Sequence, residues 1–223
     1  MARLLDADIS SSKAVTLSKS QVRLLRKGKD TTPQIDAIVP KIESLDAATK
    51  LRRQLQEETQ QLFDLVQYED TLLDDSVRML ANDCYSYDLQ NVNNPVFNKL
   101  FPNGGFSSLT TMNVFEEPKE VVNLVLRLKA LGETHPLAPH VARLETAIAN
   151  SRAAIANYEK GVQDVQAQKT LENIHKTDLI KAYSDNWHDL SKLLGKKNAD
   201  RYFPKYKPRK SSSSSDNDDA VEE

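Results

Sequence analysis

The sequence predicts an all-α fold: a long antiparallel helical hairpin, coiled-coil-like and up-down, with short accessory helices and a disordered C-terminal tail. Three observations carry that expectation. The stretches 34–91 and 139–194 both keep a helical apolar period with almost no breakers. Glycine is scarce, 6 in 223 residues, and aromatics are 6%, which suits helices better than packed sheets. The two stretches are of similar length and are joined by a connection that lets the chain reverse, so they should pair antiparallel.

Residues 1–12 read as a polar segment without a clear period, and 13–195 as one helical bundle domain. A short helix is expected over 16–27, with Val22 and Leu25 inward and Gly28 as its stop. Thr31-Thr32-Pro33 then starts the first long helix, since Pro at the first helical position loses no hydrogen bond. Ile35, Ile38, Ile42 and Leu45 begin its stripe, and Pro40 falls early enough for a kink to be tolerated. Leu51, Leu55, Leu62, Val66, Leu73, Val77 and Leu80 continue the stripe, widened by Phe63, Leu65 and Leu72. That face is too wide for one partner helix and asks for a short helix or a second subunit. Asn94-Pro95 ends the helix.

Residues 95–117 are irregular yet apolar, with Phe97, Leu100, Phe101, Phe106 and Leu109 around Pro102-Asn103-Gly104-Gly105. They are expected to cap the end of the bundle. A short helix over 118–131 follows, with Val121, Leu124, Val125 and Leu128 inward and Gly132 as its stop. The second long helix carries the clearest pattern in the chain. A seam at heptad spacing runs through Val141, Leu144, Ile148, Ile155, Tyr158, Val162 and Val165, turns polar around Lys169, Glu172 and Lys176, and resumes at Leu179, Leu190 and Leu193. Gly195, Pro204 and Pro208 close it. A basic aromatic segment, 196–210, leads into a Ser-rich acidic tail, 211–223, whose composition predicts disorder.

Charge is unevenly placed. Six basic residues and no acid lie between Lys13 and Lys29, while residues 30–195 hold 16 basic against 24 acidic side chains. One cysteine, Cys84, excludes an intrachain disulfide or a thiolate metal cage, and a buried inert thiol is expected. No apolar run reaches the length of a membrane-spanning helix, and the N-terminus lacks a signal-peptide pattern. A cytoplasmic protein is the expectation.

Motifs for chemistry are sparse. Glu172-Asn173-Ile174-His175 has the Glu-x-x-His spacing of a bundle metal site but no second copy, and Lys169 and Lys176 bring positive charge beside it. A polar layer that fixes register explains it better. The acidic run Glu57, Glu58, Asp64, Glu69, Asp70, Asp74 and Asp75 reads as a solvated helix face. Pro102 to Gly105 is a turn and not a phosphate loop. Lys196, Lys197, Arg201, Lys205, Lys207, Arg209 and Lys210 alternate with Tyr202, Phe203 and Tyr206, a composition that can hold phosphates and stack on bases. These observations point to a non-enzymatic interaction or assembly protein, without catalytic residues or cofactor. It would work through long-helix packing with itself, as a homo-oligomer, or with a protein partner. Nucleic-acid binding through the basic flanks 13–29 and 196–210 is the alternative, and a metal-binding bundle is the more distant one.

Overall fold

The computed structural model describes residues 4–102 and 105–205. The expected tail 211–223, the basic positions Lys207, Arg209 and Lys210, and the turn residues Asn103 and Gly104 lie outside the described residues. The elements are α1 (Ser11–Leu25), α2 (Thr32–Gln90), α3 (Phe97–Leu100), α4 (Ser107–Thr110), α5 (Glu117–Lys129), α6 (His140–Leu194) and α7 (Lys196–Ala199), followed by a 3-10 turn, Asp200–Tyr202. No strand occurs among the described residues. The expected all-α hairpin is present, with α2 and α6 as its long arms.

By its contacts the chain forms two units, one of Met1–Thr49 with Glu172–Glu223 and the other of Lys50–Leu171. The sequence alone suggests a single bundle over 13–195. Both cuts fall where apolar burial thins: Lys50 opens the half-exposed stretch of α2, and Glu172 sits in the polar break of the α6 seam.

In the first unit, α1 starts earlier than its apolar period suggests, because Ser10 takes the extended conformation of an N-cap and Ala14 and Val15 are already buried. The polar-looking segment before it also contributes: Leu5 and Ile9 are buried in the same core as Leu25, Ile38, Leu45 and Leu179. Between α1 and α2 the positive-φ residue is Asp30, at φ 61°, and not Gly28. Thr31 closes the turn. Its hydroxyl donates to the Leu25 carbonyl at 2.7 Å, satisfying an end-of-helix acceptor of α1, while its own carbonyl accepts from Ile35 N at 3.2 Å. Across the hairpin, the Asn186 side-chain amide donates to the Gln34 carbonyl at 3.0 Å, a buried polar bond. The Lys19–Asp46 and Lys41–Asp178 pairs are solvent-exposed, and such pairs contribute at most about 1 kcal/mol each.

In the second unit a third helix completes the core. Val121, Leu124 and Leu128 of α5 pack with Leu73, Val77 and Leu80 of α2 and with Leu144 and Ile148 of α6. The wide α2 stripe thus finds one of the short helices it needs. The connection 91–116 differs from the expected cap. The Asp88 carboxylate accepts from Val96 N at 2.7 Å and Phe97 N at 3.0 Å, which turns the chain back at the end of α2. Leu100 and Phe101 join the core, Arg127 Nε donates to the Leu100 carbonyl at 2.8 Å, and Phe115 meets Tyr158, with ring centroids 6.0 Å apart. Tyr158 also contacts Phe63, so the segment begins at the layer of Asp88 and ends at that of Phe63. At ~1.5 Å per residue this is roughly 37 Å along α2. The segment is a strap lying along the hairpin, because its apolar side chains find an open flank there.

α2 and α6 approach closely beside Gly161, where an added Cβ would lie 2.9 Å from Thr59 Oγ1 and 3.1 Å from a Leu62 methyl. Gly161→Val should therefore lower stability by about 1–3 kcal/mol, since an extra branched side chain forces the helices apart. Thermal or urea unfolding by circular dichroism reads this, and an unchanged midpoint would refute the tight approach.

Candidate functional site

The basic aromatic segment folds back onto its own unit. After Leu194 the chain reverses at Gly195, whose φ of 76° and ψ of 149° suit only glycine. Ala199 and Phe203 then enter the core, and the Phe203 ring meets Tyr183 edge-on at 5.1 Å. Trp187 Nε1 donates to Asp200 Oδ1 at 3.2 Å. Tyr202 lies over Gly28 so closely that a Cβ there would stand 2.6 Å from its ring. Gly28 is therefore required by this close approach and not by a left-handed turn. Lys196, Lys197, Arg201 and Lys205 remain exposed, as do Arg26, Lys27 and Lys29 at the end of α1. The structure thus brings the end of one basic run against the described part of another that is far away in sequence, and it turns Tyr202 and Phe203 inward.

The seam residues divide three ways. Leu144, Ile148, Leu179 and Leu190 are buried, and Val141, Ile155, Tyr158 and Val165 are half-buried. Val162 is 44% exposed and Leu193 is 69% exposed. Gly161, one residue before Val162, makes the close approach to α2, so Val162 is rotated outward. Leu193 stands at the end of α6, where the returning segment packs on the Tyr183 and Trp187 side instead. Ser151, Glu172 and Asn186, the polar members of the same heptad row, are buried.

On α2, Leu65, Tyr68, Leu72 and Met79 are all exposed by more than a third. A groove of about 550 Å³ follows this stripe, lined by Leu72 and Met79 of α2 and by Ala142, Arg143 and Ala147 of α6, with Glu69 beside them.

A carboxylate cluster has no counterpart in the sequence pattern. Glu117, the first residue of α5, is 1% exposed and lies against Asp70 and Asp74 of α2. Burial, hydrogen bonding to Asp70 and the charges of both aspartates push its carboxyl up to about 9. At neutral pH it is a neutral donor to its carboxylate neighbours. Burial also raises Asp74, against the pull of the Arg78 guanidinium 2.7 Å away. In sequence the acidic run reads as solvated, and Glu117 as a favourable acid at a helix start. The signal available is the i, i+4 pair of aspartates on one helix face, but nothing local announces the approach of α5.

Among the described residues no group of three or more His, Cys, Asp or Glu side chains is arranged to hold a metal ion. Glu172 is buried and His175 half-buried, in a stretch without a second ligand pair. His140 Nε2 lies 2.8 Å from Asp83 Oδ2, a pairing between α6 and α2 that the sequence does not suggest. Cys84 is fully buried, and burial pushes its thiol up to about 12, which makes it the inert cysteine expected.

These arrangements describe a helical scaffold with an open apolar groove and a basic surface. No helix of the described residues is long and apolar enough to cross a membrane. Compared with protein-family models, curated proteins and solved structures, the chain matches none of them.

The Glu117 carboxyl titrates near 4.5 when unfolded and near 9 when folded, so between those values the folded state holds the extra proton. Wild-type stability should therefore fall as pH rises across that window. Glu117→Gln keeps a neutral donor without the proton, and should stabilise the fold at pH 7 by roughly 1–3 kcal/mol, with no gain below pH ~4.5. Unfolding midpoints measured across this range test it. A gain equal at all pH values would mean that Glu117 is ionised in the fold.

Proposed function

We propose that the chain is a non-enzymatic helical interaction protein that assembles, with itself or with a protein partner, through the open face of α2 and α6 in the 50–171 unit. The exposed row Leu65, Tyr68, Leu72 and Met79 carries this reading. At ~100° per residue these four side chains fall within an arc of about 60°, while the buried row Val66, Leu73, Val77 and Leu80 falls on another. One face of α2 serves the core and the second is free to receive a helix. The α6 side of the groove offers Ala142 and Ala147, small residues that let another helix approach closely. Glu69 and Asp75 on α2 and Arg143 on α6 give its two sides opposite charge. A self-complementary pairing, with α2 of one copy over α6 of another, would match acid to base.

Catalysis has no part in this reading, and the setting proposed is cytoplasmic, which suits a chain whose one cysteine is a free thiol. Sedimentation equilibrium of the full chain should show reversible self-association. Leu72→Glu with Met79→Glu should weaken it roughly tenfold or more, about 1.4 kcal/mol or above. Both side chains are exposed, so the helical content and melting temperature should hold. A chain that stays monomeric at high concentration, and that recovers no specific protein partner dependent on Leu72 and Met79, would sink the proposal.

A further inference from the structure

We infer that the cations at the end of α1 and those of the returning segment form one surface for the phosphate backbone of double-stranded nucleic acid, held together by the seating of Tyr202 on Gly28. Arg26, Lys27 and Lys29 flank Gly28, and Arg201 and Lys205 flank the aromatic pair, so the packing of Tyr202 on Gly28 sets the two groups side by side. All five are exposed, and none forms an ion pair among the described residues. Two acids stand in the same segments, Asp30 and Asp200, and Asp200 is engaged by the Trp187 indole. Glu43 of α2 lines the same recess as Arg26, together with Lys19 and Arg23, so the five cations still outnumber the acids beside them in a chain whose residues 30–195 are net acidic.

The same geometry selects the kind of nucleic acid. Single strands are gripped by aromatic faces on which bases stack, together with charge. Here Phe203 is 2% exposed and Tyr202 covers Gly28, so those faces are committed to the core. Among the described residues, what remains is charge on a surface fixed by packing. That fits a polymer with regular, closely spaced phosphates, read through its backbone and without regard to sequence. An acidic protein segment would be drawn by the same charges, but it lacks the duplex's continuous charge density, and so the duplex is favoured.

The test is equilibrium binding of the full chain to a labelled duplex of arbitrary sequence, with a single strand of equal length and a poly-glutamate peptide as competitors. The duplex should bind at low salt, irrespective of sequence, with affinity falling log-linearly as salt rises. The triple change Arg26→Ala, Lys27→Ala, Lys29→Ala and the separate double change Arg201→Ala, Lys205→Ala should each weaken binding about tenfold or more. Each should also make the salt dependence shallower, by about 0.9 in slope for every phosphate that is no longer neutralised. Since these side chains are exposed, melting temperatures should not move. Absence of duplex binding at low salt would overturn the inference. So would a preference for the single strand or for poly-glutamate, or sensitivity to only one of the two groups.

Discussion

The antiparallel register of α2 against α6 is the constraint on which the remaining structure depends. In the 50–171 unit Asp83 faces His140 and Phe63 faces Tyr158, and in the other Lys41 faces Asp178 and Gln34 faces Asn186, so within each unit a step back along α2 is matched by a step forward along α6. Apolar seams alone tolerate slippage, because one leucine layer resembles the next. The buried Asn186 amide does not, since its hydrogen bond to the Gln34 carbonyl exists in one register only. Gly161 adds a steric condition of the same kind, for only that position of α6 can lie against Thr59.

In each unit the hairpin leaves a flank that a short helix fills, but with different chemistry. α1 brings an apolar stripe whose outer face is basic, and its end is locked by Tyr202. α5 brings an apolar stripe that begins with a buried acid against two others. Holding that acid neutral has a free-energy cost near physiological pH, and the surrounding leucine and valine burial must offset it. Stability is therefore distributed unevenly, with a junction at α1 that buries the neutral Ser18 and Gln21 beside its apolar stripe and a proton-dependent one at α5.

The long helices, the stops at Gly132 after α5 and at Gly195 after α6, and the core faces of α2 and α5 are legible in the sequence, because all of these follow from local period and local turn chemistry. The sequence is silent where the outcome depends on residues remote in the chain. Glu117 looks like an ordinary acid at a helix start until α5 is laid on Asp70 and Asp74. Gly28 looks like a helix stop until Tyr202 arrives over it. Leu5 and Ile9 carry too little periodicity to announce that they are buried. Segment 95–117 is recognisable as folded from its apolar content, but composition holds no direction, and only the Asp88 and Phe115 contacts show it lying along the hairpin. The candidate surfaces are legible as composition; which side chains stay free is not.

Cys84 gives the molecule an experimental handle of its own. The thiol is enclosed by the three-helix core, is held protonated, and is the single sulfhydryl in the sequence. An alkylating reagent meets a silent background in the native state, so a cysteine introduced on any outward position can carry a spectroscopic label at that place alone. Slow alkylation of Cys84 itself then becomes a clock, ticking once for each transient opening that brings solvent to the interior between α2 and α5.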